Sequence, residues 1–493
     1  MEIRHLSCEG ASAGEPGGGE GEQGVATRWR CGSVTLDLRR TRVMGIVNVT
    51  PDSFSDGGTH ADPDAALAWG RRLLDEGADL LDVGGESTRP GFTPVDPERE
   101  AARVVPVIRG LAELGAVVSV DTRHASVARA ALEAGAAVVN DVSGFTDPAM
   151  VDVVAQSDCG VVCMWAGRGA LDSSSASVAA DYFSPLGDGT GADRAGERAR
   201  RGREFVGSVA RWLLDQAAAL EAAGVDRSRI CLDPGIGFGT TFEQDLAIQR
   251  EMRALTHLGY PVLCALSRKR SMGVVTGANP APARDAASLG AGLAAMTRGC
   301  RVLRVHEVAR TSEAFRAAEA SWGKVGERWA LVGLGSNLGD RLQTLRGAVE
   351  QIDRLPLTRV LCVSHAYDTE PAYLDVQPTF ANAVVEVATE LHPMALLPLL
   401  LGLEDANGRV RGVPNGPRTL DLDLLAMEGE THAGSRLTLP HPRIGERDFV
   451  LVPMADVLGG AARVEELCRE LGVEVAPAGS RLGRVTADLG AIR

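Results

Sequence analysis

Polar residues recur at one kind of place in the first two thirds of this 493-residue chain: directly after a short apolar run. Asn48 follows Gly45-Ile46-Val47. Ser87, Thr88 and Arg89 close the LLDVGGE run, and Asp121, Asn140 and Asp233 each end a Val- or Leu-rich segment. Ser267, Arg268 and Lys269 follow LCAL, and Arg304 and His306 flank Val305. Asp121, Asn140 and Asp233 supply acceptors and an amide for a flat, polar heterocycle. Lys269, Arg304 and His306 supply charge for an anion such as a phosphate group. Singly, an Asp after a strand is more often a helix N-cap. Polar ends on seven of eight such runs are harder to assign to capping.

A second set lies further on. Asp421 and Asp423 alternate with Leu420, Leu422 and Leu424, which on a strand puts both carboxylates on one face and the leucines in the core. Such a pair is either an exposed acidic face or an oxygen site for Mg2+, which takes few protein ligands plus water and phosphate. Arg409, Arg411 and Arg418 precede the pair, and His441 and Arg447 follow it. Cations grouped around two carboxylates suggest a bound nucleoside triphosphate.

The elements that must hold these residues alternate. Met44–Gly58 reads as a buried strand ending in a Ser/Asp/Gly loop. Between Arg42 and Ala320, strand and helix patterns alternate through eight units. Such alternation specifies a parallel sheet with right-handed crossovers, and eight units suit a closed (β/α)8 TIM barrel, in which all strand C-termini converge on one face. A doubly wound open sheet is the alternative, and the lack of a GxGxxG after the first strand speaks against it. Residues 167–203, rich in Gly, Ser, Ala, Arg and Asp, read as disordered rather than as a lid. After a polar link at 321–328, residues 329–493 leave the alternation. They read as a smaller α+β domain, an antiparallel sheet with helices on one face. GLGSNLGD at its start lacks the GK[ST] of a P-loop and reads as a glycine-rich strand end open to a ligand. The domains are then a disordered tail (1–26), a barrel (27–320), a linker (321–328) and the second domain (329–493).

A net charge of -14 argues against nucleic-acid or anionic-membrane binding, while leaving room for a local basic pocket. Nine scattered cysteines with no CxxC suit buried thiols in a reducing, cytoplasmic setting. The longest apolar run, near Met394–Leu403, is too short to span a membrane.

The motifs MGIVNVTPDSFSDGG, DVGGESTRPG, SVDTRH, NDVSG, LDPGIGFG, SRKRSMG and LRVHEV resemble, in order, the dihydropteroate synthase family over nearly all of residues 40–320. ALVGLGSNLGDR, FANAVVEV, EDANGRVR, GPRTLDLDLL and LPHPRIGERDFVLVP resemble the 6-hydroxymethyl-7,8-dihydropterin pyrophosphokinase family, whose fold is ferredoxin-like, over residues 329 to about 460. The resemblance implies a fusion of two consecutive folate-biosynthesis enzymes, the later one first. It implies that Asp121, Asn140, Asp233 and Lys269 hold the pterin above Met164. Asn48 would bind Mg2+ and, with Thr88, Arg304 and His306, the pyrophosphate. Phe54, Arg89, Pro90, Ser267 and Arg268 would frame the p-aminobenzoate pocket. In the second domain, Asp421 and Asp423 would hold two Mg2+ ions on ATP, Arg409, Arg411, Arg418, His441 and Arg447 would meet the phosphates, and Asn382 and Phe449 the pterin. Family barrels commonly form homodimers, so a homodimer through the barrel is expected, with ATP, hydroxymethyldihydropterin and p-aminobenzoate as small-molecule partners.

Two positions depart from the family pattern. Met164-Trp165-Ala166-Gly167 replaces a Met-His run followed by an aromatic residue or Met, and Asn415 replaces an aromatic residue before GPR. The second departure motivates an alternative in which the second domain is a binding or assembly module. A pterin-binding methyltransferase barrel is a further alternative, but it has no use for the SRK and RVH motifs.

Overall fold

The computed structural model describes residues 25–50, 63–87, 93–167, 182–184, 186, 194–323, 326–371, 377–410, 416–476 and 482–488. The chain divides into two compact units, Glu22–Trp322 with His432–Arg436, and Gly323–Thr431 with Leu437–Arg493.

The first unit opens with an antiparallel hairpin, β1 (Arg28–Cys31) and β2 (Val34–Asp37), that the sequence reading passed over. Eight parallel strands follow: β3 (Arg42–Asn48), β4 (Leu80–Gly84), β5 (Val118–Asp121), β6 (Val138–Asp141), β7 (Gly160–Met164), β8 (Ile230–Asp233), β9 (Leu263–Cys264) and β10 (Val302–Val305). Their order is β8-β7-β6-β5-β4-β3-β10-β9, and a Leu232–Val262 bridge joins the two ends, so the sheet is a nearly closed barrel. Alternation along each strand sorts the side chains. Val43, Leu81, Val139, Val161 and Leu232 pack outward with the helices. Met44, Leu80, Val138, Val162 and Cys231 point inward and meet Trp29, Cys31, Leu36 and Leu38 of the hairpin. These inward residues lie early in their strands, so the hairpin fills the end of the barrel opposite Asn48, Asp121 and Asp233.

Capping accounts for some acidic residues and not others. Asp96 and Asp147 accept from Glu98 N and Ala149 N and start the helices Pro97–Ala112 and Pro148–Ala155. Asp121 caps nothing: the next helix, Ala125–Glu133, begins after His124. The stretch read as disordered needs correction. Helix Arg194–Ala222 starts eleven residues before its apolar periodicity does at Phe205, stabilised by Arg201–Glu197 and Arg200–Glu204 pairs at 2.9 and 2.5 Å. Tyr182 in the same stretch is buried against Asp245. The rest of 167–203, apart from Gly167, Phe183, Ser184 and Leu186, lies outside the described residues.

The second unit is an antiparallel sheet of β11 (Arg328–Ser336), β12 (Thr358–Val363), β13 (His365–Thr369), β14 (Phe380–Thr389), β15 (Asp421–Met427) and the strand Leu482–Asp488. β15, β11, β14, β13 and Leu482–Asp488 lie side by side in that order, with β12 also paired to β14. Helices cover both faces, not one. Arg341–Asp353 and Pro393–Ala406 bring Leu345, Ile352, Leu396 and Leu400 against Val332, Leu334, Leu422 and Leu424. Asp448–Leu458 and Ala461–Glu470 bring Val450, Met454 and Cys468 against Leu331, Val384 and Leu425. The reason is visible in β15, where polar alternation stops at Asp423 and Leu424 through Met427 are all buried. Among the described residues no helix is long and apolar enough to cross a membrane.

Candidate active sites

Asp82, inside β4, organises the barrel mouth. It is fully buried, and its Oδ2 accepts from Arg304 Nε at 2.5 Å and from Asn140 Nδ2 at 3.1 Å. Arg304 reaches from β10 across β3, and its Nη2 meets Asp121 Oδ2 at 2.8 Å. Isolated buried carboxylates are costly, and the guanidinium offsets part of that cost. Burial still pushes Asp121 up to about 7, against the pull of Arg304 and with Asp82 adding to the rise. Burial likewise lifts Asp233 to about 6, opposed by the Gly235 N–H and by Lys269. The same burial lowers Lys269 to about 8, despite Asp233 and Asp245.

Lys269 Nζ stands 4.2 Å from the centre of the Phe238 ring. Phe238 belongs to a loop that only glycine can turn. Gly235 has φ +67, and a Cβ there would lie 1.7 Å from the Trp165 carbonyl oxygen. Buried Asp245 gathers this loop, accepting from Gly237 N at 2.9 Å, Thr240 Oγ1 at 2.6 Å and Tyr182 OH at 3.1 Å. Trp165, the departure after Met164, turns its ring edge-on to Phe205 at 5.6 Å, while its backbone N–H donates to the Asp233 carbonyl. Ser267 Oγ lies 3.1 Å from His306 N and 3.0 Å from Nδ1, tying the ends of β9 and β10. Arg268, at φ +59, sets its guanidinium on Asp285 at 2.7 and 2.9 Å.

In the second unit, Gly335 of β11 is in register with Asn382 of β14 on one side and Asp421 of β15 on the other. That register brings residues 47 and 86 positions away to one point. A Cβ on Gly335 would stand 3.0 Å from Asn382 Oδ1, so the missing side chain leaves the approach open. A cavity of about 290 Å³ lies over it, lined among others by Asn382, Arg409, Arg418, Asp421, Asp423, His441, Arg447 and Phe449. Asp421 Oδ1 is 2.5 Å from Arg409 Nη1 and Oδ2 is 2.7 Å from Arg418 Nη2, while Asp423 Oδ2 is 3.6 Å from Arg447. Burial raises the Asp421 carboxyl above its usual range, Asp423 adds to the rise, and Arg418 and Arg409 oppose it. Burial, with Arg447 and Arg443, lowers His441 to about 4, so its ring is neutral at pH 7. Asn382 Nδ2 donates to Thr369 Oγ1 at 2.6 Å.

The family described as pterin binding enzyme matches residues 44–306, more than half of the chain. The chain belongs to the pterin-binding enzyme family. Residues 331–459 match the family described as 7,8-dihydro-6-hydroxymethylpterin-pyrophosphokinase. The dihydropteroate synthase of Neisseria meningitidis serogroup C is 39% identical over 59% of this chain and 96% of that protein. That of Bacillus subtilis is 37% identical over 58% and 90%. Among solved structures, Xanthomonas albilineans dihydropteroate synthase with 4-aminobenzoic acid is 42% identical, with TM-score 0.52, covering 60% of this chain and 98% of that one. The same enzyme in complex with 7,8-dihydropteroate is 40% identical, with TM-score 0.50 and coverage of 60% and 98%. The pterin-binding barrel therefore comes first and a pyrophosphokinase-type α+β domain second, as the motifs implied.

Of the residues expected at the pterin-binding barrel mouth, Asp121, Asn140, Met164, Asp233, Ser267, Lys269, Arg304 and His306 stand at or just beyond strand ends, as does half-buried Asn48. Phe54, Thr88, Arg89 and Arg411, and the departure Asn415, lie outside the described residues. Three residues escaped the sequence reading. Asp82 and Glu404 are acids within otherwise apolar runs, and that was the available signal. Glu404 is buried on helix Pro393–Ala406, bonds Arg409, and accepts from Leu422 N at 2.8 Å. Glu86 accepts from Val95 N at 2.7 Å and from Arg123 Nε at 2.9 Å.

Proposed function

We propose that the chain catalyses two consecutive transferase steps of folate biosynthesis. The second domain moves a pyrophosphoryl group from ATP to the hydroxymethyl oxygen of 6-hydroxymethyl-7,8-dihydropterin, releasing AMP. The barrel then condenses that product with p-aminobenzoate to 7,8-dihydropteroate and pyrophosphate. One observation carries the reading: the Asp82–Arg304–Asp121 array sets acceptors for a pterin and a cation for its pyrophosphate side by side in one barrel mouth.

In the barrel, Asp121, Asn140, Asp233 and Lys269 hold the pterin ring, and Met164 lies beneath it. Arg304, His306 and Thr88 take the charge that grows on the pyrophosphate as the C–O bond breaks. The arylamine nitrogen then attacks the pterin methylene and loses a proton, with Phe54, Arg89, Ser267 and Arg268 framing that substrate. In the second domain, Asn382 and Phe449 hold the pterin, while Arg409, Arg411, Arg418, His441 and Arg447 meet the triphosphate. Two carboxylates facing one polar cavity fit Mg2+, a hard cation that takes oxygen donors. Asp421 and Asp423 would hold it there, Asn48 in the barrel, and it would neutralise phosphate charge.

We assign the barrel to 27–320, the linker to 321–328 and the kinase domain to 329–493, in a cytoplasmic homodimer joined through the barrel. The test is direct. With ATP, Mg2+ and hydroxymethyldihydropterin the protein forms AMP, and added p-aminobenzoate yields dihydropteroate. Dihydropteroate from supplied pterin pyrophosphate, without any AMP from ATP, would make the second domain a binding or assembly module.

A further inference from the structure

Arg304 is held by two carboxylates, and the two holds differ. Asp82 is fully buried and is also bonded by Asn140, so its contact with Arg304 Nε is an anchor. Asp121 is partly open to the mouth, its side chain 11% exposed, and takes only Nη2. Its other oxygen, Oδ1, is buried and has no hydrogen-bond partner among the described residues. Buried acceptors are rarely left so, and on the synthase reading a pterin N–H would supply the missing donor.

We infer that Asp121 competes with the diphosphate for Arg304, so that the pterin ring and the diphosphate bind cooperatively. The inference rests on the synthase reading of the barrel. A diphosphate arriving alone has to draw Nη2 from Asp121 and leave that carboxylate without its cation. A pterin ring supplies N–H donors to Asp121, and Arg304 can then swing about its Asp82 anchor to the phosphate. With its side chain only 11% exposed, Asp121 has little water to replace the cation it would lose. The same device speeds turnover: once dihydropteroate departs, Asp121 recovers Arg304 and pyrophosphate is released.

Calorimetric titration of the full chain with inorganic pyrophosphate, alone and with saturating 7,8-dihydropteroate, tests this. Dihydropteroate is expected to tighten pyrophosphate binding about tenfold, the low end for a hydrogen bond to a charged group. Pyrophosphate must then tighten dihydropteroate equally. In Asp121→Asn, pyrophosphate alone binds about tenfold more tightly than to the parent chain, for the same reason. Pyrophosphate held by the second domain does not depend on Asp121 and cancels in that comparison. Unchanged or weaker pyrophosphate binding in the folded variant overturns the inference, as does independent binding of the two ligands in the parent chain. The second measurement needs no variant and decides the matter if Asp121→Asn fails to fold. Failure of dihydropteroate to bind at all would remove the synthase reading and the inference together, whereas binding without coupling removes the inference alone.

Discussion

Arg409 Nη1 lies 2.5 Å from Asp421 Oδ1, so the cation we assign to phosphate rests on the carboxylate we assign to metal. Replacing Asp421 by Ala removes both functions. AMP formation is expected to fall about 10²–10³-fold, the loss typical of a group that stabilises transition-state charge. Dihydropteroate formation from supplied pterin pyrophosphate should stay at the parental rate. Equal losses in the two assays would contradict the division of labour between the domains.

Lys269→Ala has the opposite signature, abolishing dihydropteroate formation and sparing AMP formation. Its position also sets a pH dependence. On the proposed reading Asp233 and Asp121 accept pterin N–H groups more strongly when ionised, and they titrate near 6 and 7. Lys269 is a cation only below about 8. The synthase kcat/KM therefore rises from pH 6 to 7 and falls above 8, reporting the free enzyme. In Lys269→Arg any residual activity should lack the alkaline fall, because arginine keeps its proton. A fall that persists near pH 8 would place the titrating group elsewhere.

Glu86 accepts from Val95 N and is held in turn by Arg123; in the sequence, Glu86 and Val95 flank residues 88–92, which carry Thr88 and Arg89. Glu86→Gln keeps the shape but weakens the charged bond to Arg123. The expected result is a KM for p-aminobenzoate raised about tenfold, the scale of a hydrogen bond to a charged group. The kcat should change little, which separates positioning from chemistry. Steady-state kinetics with p-aminobenzoate as the varied substrate reads both.

Trp29 is fully buried in the barrel's closed end, and its indole N–H donates to the Arg229 carbonyl at 2.9 Å. Trp29→Ala should cost the barrel about 3–5 kcal/mol, the usual range for a buried aromatic truncated to alanine. Urea denaturation followed through dihydropteroate activity would detect it. A loss under 1 kcal/mol would mean that the hairpin covers the barrel without stabilising it.

The parts legible in the sequence were those with a repeating signal. Eight apolar runs, seven of them ending in polar residues, announced the barrel and its mouth, and the spacing of Asp421 and Asp423 announced one face of a strand. What stayed hidden depended on neighbours distant in the chain. The hairpin at Arg28–Asp37 is short and strongly polar, and only its packing against Met44 and Val302 makes it core. Asp82 looks like an interruption of β4 until Arg304, 222 residues later, reaches it. Helix Arg194–Ala222 was missed at its start because ERARRGRE shows charge pairs rather than an apolar stripe. That helices cover the far face of the second sheet as well was missed because a strand buried on both sides has no alternation to read.

Of the 51 lysines and arginines in this chain, only Lys269 and Lys324 are lysines. Elsewhere the chain meets its need for positive charge with arginine, so a lysine over Phe238 marks a place where a compact amine is required. With its proton leaving near pH 8, about half of the Lys269 amines are nucleophilic at that pH, where an ordinary lysine is almost wholly protonated. An amine-directed acylating reagent at pH 8 therefore has one preferred target among the described residues, in the barrel mouth. Peptide mapping after labelling turns that lysine into an occupancy gauge, modified in the empty protein and shielded when a pterin is seated.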